Sequence, residues 1–255
     1  MLSRNFRLQR VGDLLWLQKN YNFAHIAFYI DELVVLDVTR GQRDPEAFCS
    51  TLKALTAGCF VPIAAGGGLR SVEYARQLLR SGADKVVVNS PLFDQPNLVK
   101  ELAGEFGQQC VVASVDMKCD QDGSYRAYSL SGTKRIEASL SEMEWLRESH
   151  AGELYINSID KDGTGQGYDL ELLDQIPTDC ALPIILAGGV GNGTHLAAGL
   201  DDKRVDAVAT AHLFNFVGDG LQRARVNLVK QGASLATWPE LAEFDLGPSV
   251  RTEIV

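Results

Sequence analysis

The chain has 255 residues, 45% of them hydrophobic, with 24 basic and 33 acidic side chains and a formal net charge of −9. That length suits one large α/β domain with a sizeable core better than two small ones. The acidic balance argues against nonspecific attraction to nucleic acid or anionic lipid, so an anionic substrate needs a local positive site.

No run approaches the roughly 18 apolar residues of a membrane span. The start "MLSRNFRLQR" lacks the apolar core of a signal peptide, and a cytoplasmic location is expected. The five cysteines, Cys49, Cys59, Cys110, Cys119 and Cys180, form no C-x-x-C pair. They read as free thiols, mostly in the core, without a disulfide framework or a zinc site. His25, His150 and His195 lack metal-ligand spacing, so no metal or other cofactor is expected.

Short β-branched runs recur along the chain, each followed by a polar amphipathic stretch. A first strand is expected near Phe6 to Val11. "ELVVLDVT" from Glu32, "FVPIAAGG" from Phe60, "DKVVVNS" from Asp84 and "CVVASVD" from Cys110 follow, then "ELYINSID" from Glu153, "LPIILAGG" from Leu182 and "DAVATAHL" from Asp206. Continuous apolar strands alternating with helical patterns indicate βα units around a parallel sheet. Eight of them in this length predict a (β/α)8 TIM barrel, with its working face at the C-terminal strand ends. The helix "SVEYARQLLRSG" from Ser71 opens on a Ser-x-Glu start and ends at a glycine stop.

The barrel is expected to consist of two similar halves, because Val61 to Phe93 aligns with Leu182 to Phe214. The plainer alternative, that Pro-x-x-x-x-Gly-Gly marks two unrelated turns, leaves the matching strand after each glycine cluster unexplained. Glycines at a strand end let backbone N–H groups approach a phosphate without a Cβ in the way, and the next helix N-terminus adds a favourable dipole. One cradle is expected at Gly67, Gly68, Asn89 and Ser90, the other at Gly188, Gly189, Ala211 and His212. Two cradles at one mouth suit a small molecule with a phosphate at each end.

From about Asp31 to Gln231 the chain resembles the cyclase subunit of imidazole glycerol phosphate synthase, the histidine-biosynthesis barrel that takes ammonia from a glutaminase partner and closes an imidazole ring. "DELVVLDVT", "GGGLRSVEYARQLLRSGADKVVVNS", "SVDMK" and above all "NSIDKDGTGQGYDLEL" carry the resemblance. It implies that a strand-end aspartate, here Asp116, does acid/base work on a bis-phosphorylated substrate. Asp162 matches another active-site carboxylate, although it equally shapes the turn before Gly163. Asp160 and Asp37 are nearby mouth candidates. Lys19 matches a substrate-binding position, beside matching Asn22 and Phe23.

The resemblance fails at the first strand, where Val11 stands in place of the family's first catalytic aspartate and Asp13 lies two residues on. Only Ala24 to Ile30 separate Phe23 from the second strand, and seven residues span about 10 Å as helix. The first helix is therefore expected to be truncated or absent, with the wall open there. Residues 1–232 are assigned to the barrel. Residues 233–255 form a C-terminal extension, whose Trp238 and Phe244 are expected to cover apolar surface.

At the N-terminal barrel face the family binds its glutaminase and admits ammonia through a ring of charged residues. Glu32, Lys85 and Glu153 match three members, Asn5 stands at the fourth, and Asp84 matches a partner-contacting position. A plain solvated salt-bridge ring is the alternative. The leading expectation is an ammonia-receiving subunit of a glutamine amidotransferase acting on a phosphorylated or nucleotide-linked sugar. An authentic histidine-pathway cyclase and a non-catalytic glutaminase-activating scaffold are the alternatives.

Overall fold

The computed structural model describes residues 2–10, 13–16, 27–143, 146, 150–211 and 220–236. Val11, Lys19, Asn22, Phe23, His25, His212, Trp238 and Phe244 lie outside the described residues. At the start, β1 (Leu2–Arg4) and β2 (Arg7–Gln9) form an antiparallel hairpin. A 3-10 turn at Ala27–Tyr29 precedes β3 (Leu33–Leu36), α1 (Pro45–Thr56), β4 (Ile63–Gly66) and α2 (Val72–Arg80). Next come β5 (Lys85–Val88), the short α3 (Pro91–Asp94), α4 (Pro96–Phe106) and β6 (Val111–Cys119). The hairpin β7 (Tyr125–Ser129) and β8 (Lys134–Arg135) branches off β6 before β9 (Glu153–Ser158). The chain ends with β10 (Ile184–Ala187), α5 (Gly193–Leu200), β11 (Ala207–Val208) and α6 (Gly220–Lys230).

The parallel path runs β3, β4, β5, β6, β9, β10, β11 in chain order. Winding onward without a reversal is the order of a (β/α)8 barrel; a doubly wound sheet reverses at a switch point. Seven of the expected strands are in place. The eighth, expected near Phe6, is not in the parallel sheet among the described residues, because Arg7–Gln9 pairs back on Leu2–Arg4. "RLQR" explains the difference: Arg7 and Gln9 are exposed while Leu8 is half-buried, and such an alternating segment does not suit a strand covered on both faces. At the same edge, Ala27–Tyr29 forms a single 3-10 turn. Arg225 of α6 reaches across to grip Asp31 bidentately at 2.7 and 2.8 Å.

Strand side chains alternate between two cores, as the period of two requires. Ile63, Ala65, Val86, Val88, Val115, Leu154, Ile156 and Leu186 face the helices in the large outer core. Ala64, Val87 and Val112 form a small inner cluster with Val34 and Tyr155. All five cysteines are free thiols; Cys110 alone is buried, while Cys49, Cys59 and Cys180 pack at the margin of the outer core. Helix α2 starts as its sequence demands, with Ser71 accepting from the Tyr74 N–H.

The two halves repeat in their hydrogen bonds. Asp84 accepts from the Ile63 N–H and Asp206 from the Ile184 N–H, each at 2.8 Å. Leu33 N–H donates to Pro62 and Leu154 N–H to Pro183, each at 2.9 Å. The structural repeat therefore reaches back to Glu32 and Glu153, which occupy equivalent positions at the starts of equivalent strands.

Candidate active site

Two strands carry an inward-facing column. On β9 the alternation places Glu153, Tyr155 and Asn157 on one face; on β5 it places Lys85, Val87 and, one step past the strand, Asn89. At about 3.3 Å per residue, Glu153 and Asn157 lie about 13 Å apart along the barrel.

At the lower end, Lys85 Nζ donates to Glu32 and Glu153 at 2.6 Å each. Glu32 Oε1 and Glu153 Oε2 are buried without a hydrogen-bond partner. Burial pushes the Glu32 carboxyl above its ordinary range, and the Lys85 hydrogen bond and charge only partly offset this. Burial pulls the Lys85 ammonium down, but its hydrogen bonds to Glu153 and Glu32 outweigh that and the net shift is upward. Asn5, the expected fourth member, lies at the opposite end of the barrel. Its side chain donates to the carbonyls of Ile159 and Asp160 beyond β9, because the two-residue hairpin turn carries it there. Asp84 uses one carboxylate oxygen to cap the Ile63 N–H, the same service that Asp206 performs in the other half.

Above the ring sits the apolar layer of Ala64, Val87, Val112 and Tyr155. Burial raises the Tyr155 phenol, with the nearby Asp116 and Asp162 charges adding to the shift, so it stays neutral.

At the upper end, Asp116 faces Asn157 across the β6–β9 register. Asn89 donates to Asp116 Oδ2 at 3.0 Å and Asn157 to Oδ1 at 3.4 Å. Burial pushes the Asp116 carboxyl up to about 7; the two amide hydrogen bonds oppose the shift and the Asp162 charge adds to it. Among the described residues no cation offsets the burial, so near neutrality this group both holds and releases a proton.

The strand-end glycines form loops around this carboxylate. Gly67, Gly68, Gly188 and Gly189 all have positive φ, from 67° to 102°. A Cβ on Gly67 would lie 2.2 Å from the Asp37 carbonyl oxygen, and one on Gly189 2.0 Å from that of Gly167. These glycines therefore serve loop-to-loop contact as well as an open backbone; Gly167 N–H donates to Gly189 at 2.7 Å. Ser90 Oγ accepts from Leu130 N–H at the β7–β8 tip, at 3.3 Å. Ala211 is exposed, and His212 falls outside the described residues.

The N-terminal hairpin lies over the same mouth. Asn5 and Phe6 form its turn with φ of 49° and 60°, the geometry of a tight type I′ hairpin. Phe6 N–H donates to Asp162 Oδ2 at 3.0 Å, and the Ser3 hydroxyl donates to the same oxygen. Arg40 donates to the Phe6 carbonyl at 2.6 Å, so the hairpin spans from the loop after β3 to the loop after β9. Asp160 accepts from Cys119 N–H and Asp37 from Thr39 N–H. Those carboxylates shape loops, while Asp116 takes no backbone cap among the bonds described.

The arrangement has named relatives. Residues 7–218 match the model of a family described as histidine biosynthesis protein. A putative imidazole glycerol phosphate synthase subunit hisF2 from Parasynechococcus marenigrum is 44% identical over 243 residues, covering 94% of this chain and 90% of that protein. The HisF subunit of imidazole glycerol phosphate synthase from Lachnoclostridium phytofermentans is 38% identical, over 82% of this chain and 80% of its own length. The HisF subunit from Alkaliphilus metalliredigens is 33% identical, over 89% of each chain. The chain belongs to this HisF-like histidine biosynthesis family.

Within this HisF-like barrel, sequence reasoning missed four features of the mouth. Asn157 is the second amide on Asp116; its place two residues after Tyr155 on an inward face was the available signal. The β7–β8 hairpin and the N-terminal hairpin offered only short, polar runs. Arg43, in an irregular loop, lies over Gly68: a Cβ there would be 2.5 Å from Arg43 Cδ and 2.9 Å from Nε. Among the described residues no cluster of His, Cys, Asp or Glu is placed to hold a metal ion, and no helix is long and apolar enough to cross a membrane.

Proposed function

We propose that this chain is the ammonia-using barrel of a two-subunit glutamine amidotransferase acting on a phosphorylated or nucleotide-linked sugar. The observation that carries the reading is one column of side chains. A charged ring at one end, Glu32, Lys85 and Glu153, is joined through an apolar layer to Asp116, a carboxyl titrating near neutrality at the other. Ammonia enters by the ring and meets the substrate at the mouth. As the carbon–nitrogen bond forms and the bond from the same carbon to its oxygen leaving group breaks, Asp116 takes the proton from the ammonia nitrogen and returns it to the departing oxygen, and Asn89 and Asn157 hold Asp116 in place. Gly67, Gly68, Asn89 and Ser90 receive one phosphate; Gly188, Gly189, Ala211 and His212, with Lys19, receive the other end. Asp162 contributes once the hairpin releases it.

The glutaminase docks on the N-terminal face around the ring. A cavity of about 310 Å3 opens there, lined by Phe60, Val61, Gly82 and Asp84 among others. Asp84 supplies charge at its wall.

The names of the relatives are equally compatible with a second reading, a histidine-pathway cyclase that works without an aspartate at Val11. Turnover decides between the two. Purified protein with excess ammonium salt at mildly alkaline pH is given phosphoribulosyl formimino aminoimidazole carboxamide ribonucleotide, with Asp116→Asn alongside. Product formed by the wild type and lost in the variant establishes the cyclase. No product from folded protein removes that reading and leaves sugar amidation, or a scaffold that only activates the glutaminase.

A further inference from the structure

The mouth is rich in carboxylates, with Asp37, Asp116, Asp160 and Asp162 around it, in a chain of formal net charge −9. A phosphate dianion entering there needs a cation at the point of contact. The glycine loop after β4 has one. The Arg43 side chain crosses directly over Gly68, with Cδ, Nε and Nη1 at 2.5, 2.9 and 3.1 Å from where a Gly68 Cβ would stand. Gly68 leaves the room that this guanidinium fills.

Arg43 is incompletely satisfied. Its Nε is buried and makes no hydrogen bond, and its charge partner, Asp37 Oδ2, lies 3.4 Å away. Asp37 is 8% exposed in its side chain and Arg43 33%. The carboxylate is thus enclosed while Arg43 keeps part of its side chain exposed and lines a cleft of about 710 Å3 with Gln42, Asp44, Pro45, Glu46 and Gln77. Asp37 also accepts from Thr39 N–H at 2.9 Å, so it keeps a partner when the arginine turns away.

We propose that Arg43 is the phosphate-binding cation of the first-half cradle, taking a phosphate monoester between its guanidinium fork and the Gly67–Gly68 backbone. This rests on the proposed assignment of that glycine loop to a phosphate. Asp37 is the placeholder: the phosphate replaces a poorly aligned carboxylate contact with a bidentate one, which an arginine fork matches and a lysine does not. Asp37 therefore competes with the substrate and sets how tightly the phosphate is held.

The test uses the full chain, with inorganic phosphate and ribulose 1,5-bisphosphate as probes at fixed ionic strength. Amide hydrogen exchange locates the ligand and titration gives its affinity. In the wild type, both probes are expected to protect the amides of Gly67 and Gly68. Arg43→Gln is expected to weaken binding about ten- to hundredfold and abolish that protection, with Arg43→Lys intermediate. Asp37→Asn is expected to tighten phosphate binding several-fold, an effect that a merely structural ion pair does not produce. If the wild type protects Gly67 and Gly68 but Arg43→Gln binds within twofold of it, or if Asp37→Asn binds more weakly while still folded, Arg43 is only the counter-ion of Asp37 and the proposal falls. If neither probe protects either glycine loop of the wild type, the assignment of the loops to phosphates fails first and the Arg43 proposal goes with it.

Discussion

Ser3 donates its hydroxyl to the carboxylate of Asp162, 159 positions further along the chain, and Phe6 N–H reaches the same oxygen at 3.0 Å. The carboxylate that the family resemblance assigns to chemistry is, in this structure, the anchor of the N-terminal hairpin. The anchor works against strain, because Phe6 sits at φ 60°, where a bulky side chain costs about 1–3 kcal/mol. Asp162→Asn keeps the shape and removes the charge. Exchange of the Phe6 amide is expected to accelerate about ten- to hundredfold, the range for losing a hydrogen bond to a charged acceptor. The melting temperature is expected to move little, since β1 and β2 form a sheet of their own and the Asn5 bonds to Ile159, Asp160 and the Asp162 carbonyl remain. An unchanged Phe6 exchange rate would refute the anchor.

Asp116 makes the stability of the fold depend on pH in an unusual direction for an aspartate. Its pKa is raised to about 7 by burial, above the unfolded value of about 3.9. The unfolded chain therefore gives up this proton first as pH rises. The contribution to stability is complete below the unfolded value and is lost progressively up to about pH 7. Asp116→Asn keeps hydrogen-bonding atoms there and cannot ionise. Relative to the variant, the wild type is expected to lose about 2–3 kcal/mol between pH 5 and pH 8, from about 1.4 kcal/mol per unit. Denaturant unfolding at both pH values checks this. Parallel curves for the two proteins would show that Asp116 ionises at an ordinary pH.

What the sequence made legible follows from how each segment is buried. The seven strands from Leu33 to Val208 are built around short apolar, mostly β-branched runs, and such runs announce themselves by composition alone. The half-repeat was visible because its glycines and the aspartates Asp84 and Asp206 answer the same backbone needs twice. Asp116 was legible through "SVDMK", and its two amides require the register of three strands to be known. The segment near Phe6 was misread as a barrel strand because one alternating run of three or four residues fits a hairpin equally well. Arg43 left no sequence signal, since its position over Gly68 depends on an irregular loop crossing a second one. Asn5 was misplaced for the same reason: a gapless alignment holds no information about a chain that turns back on itself.

The ring at the barrel floor is a charge cluster with one cation for two carboxylates. Removing Lys85 as Lys85→Met leaves Glu32 and Glu153 facing one another with unpartnered buried oxygens. Breaking a buried pair typically costs about 3–5 kcal/mol; with each side chain about a fifth exposed, on the order of 2–3 kcal/mol is expected. The loss is expected to shrink as pH falls, because the Glu32 carboxyl, raised by burial, then takes up a proton and the repulsion ends. Lys85→Met with Glu153→Gln is expected to recover most of it at neutral pH. A loss that stayed constant from pH 4 to pH 8 would mean that Lys85 contributes packing and no charge. If glutamine-dependent turnover falls in Lys85→Met while ammonium-dependent turnover persists, the ring serves delivery as well as stability.

Two glycines separate backbone strain from close approach. Gly41 has φ 94° with nothing within 4 Å of where a Cβ would stand, while Gly67 has φ 102° and its Cβ would lie 2.2 Å from the Asp37 carbonyl oxygen. Gly41→Ala therefore carries only the conformational penalty, about 1–2 kcal/mol. Gly67→Ala carries that penalty and must also displace the strand end that bears Asp37, against which Arg43 rests. A further loss of about 2 kcal/mol or more is expected, in the range for overpacking a rigid site. Urea unfolding of the two variants measures the difference. The Asp37 displacement makes a second expectation: Gly67→Ala weakens phosphate binding even where the protein is fully folded, and Gly41→Ala leaves it unchanged. Equal destabilisation by the two would mean that the loop after β3 yields easily to the one after β4. The tight seating of Arg43 over Gly68 would then not be rigid enough to select a phosphate.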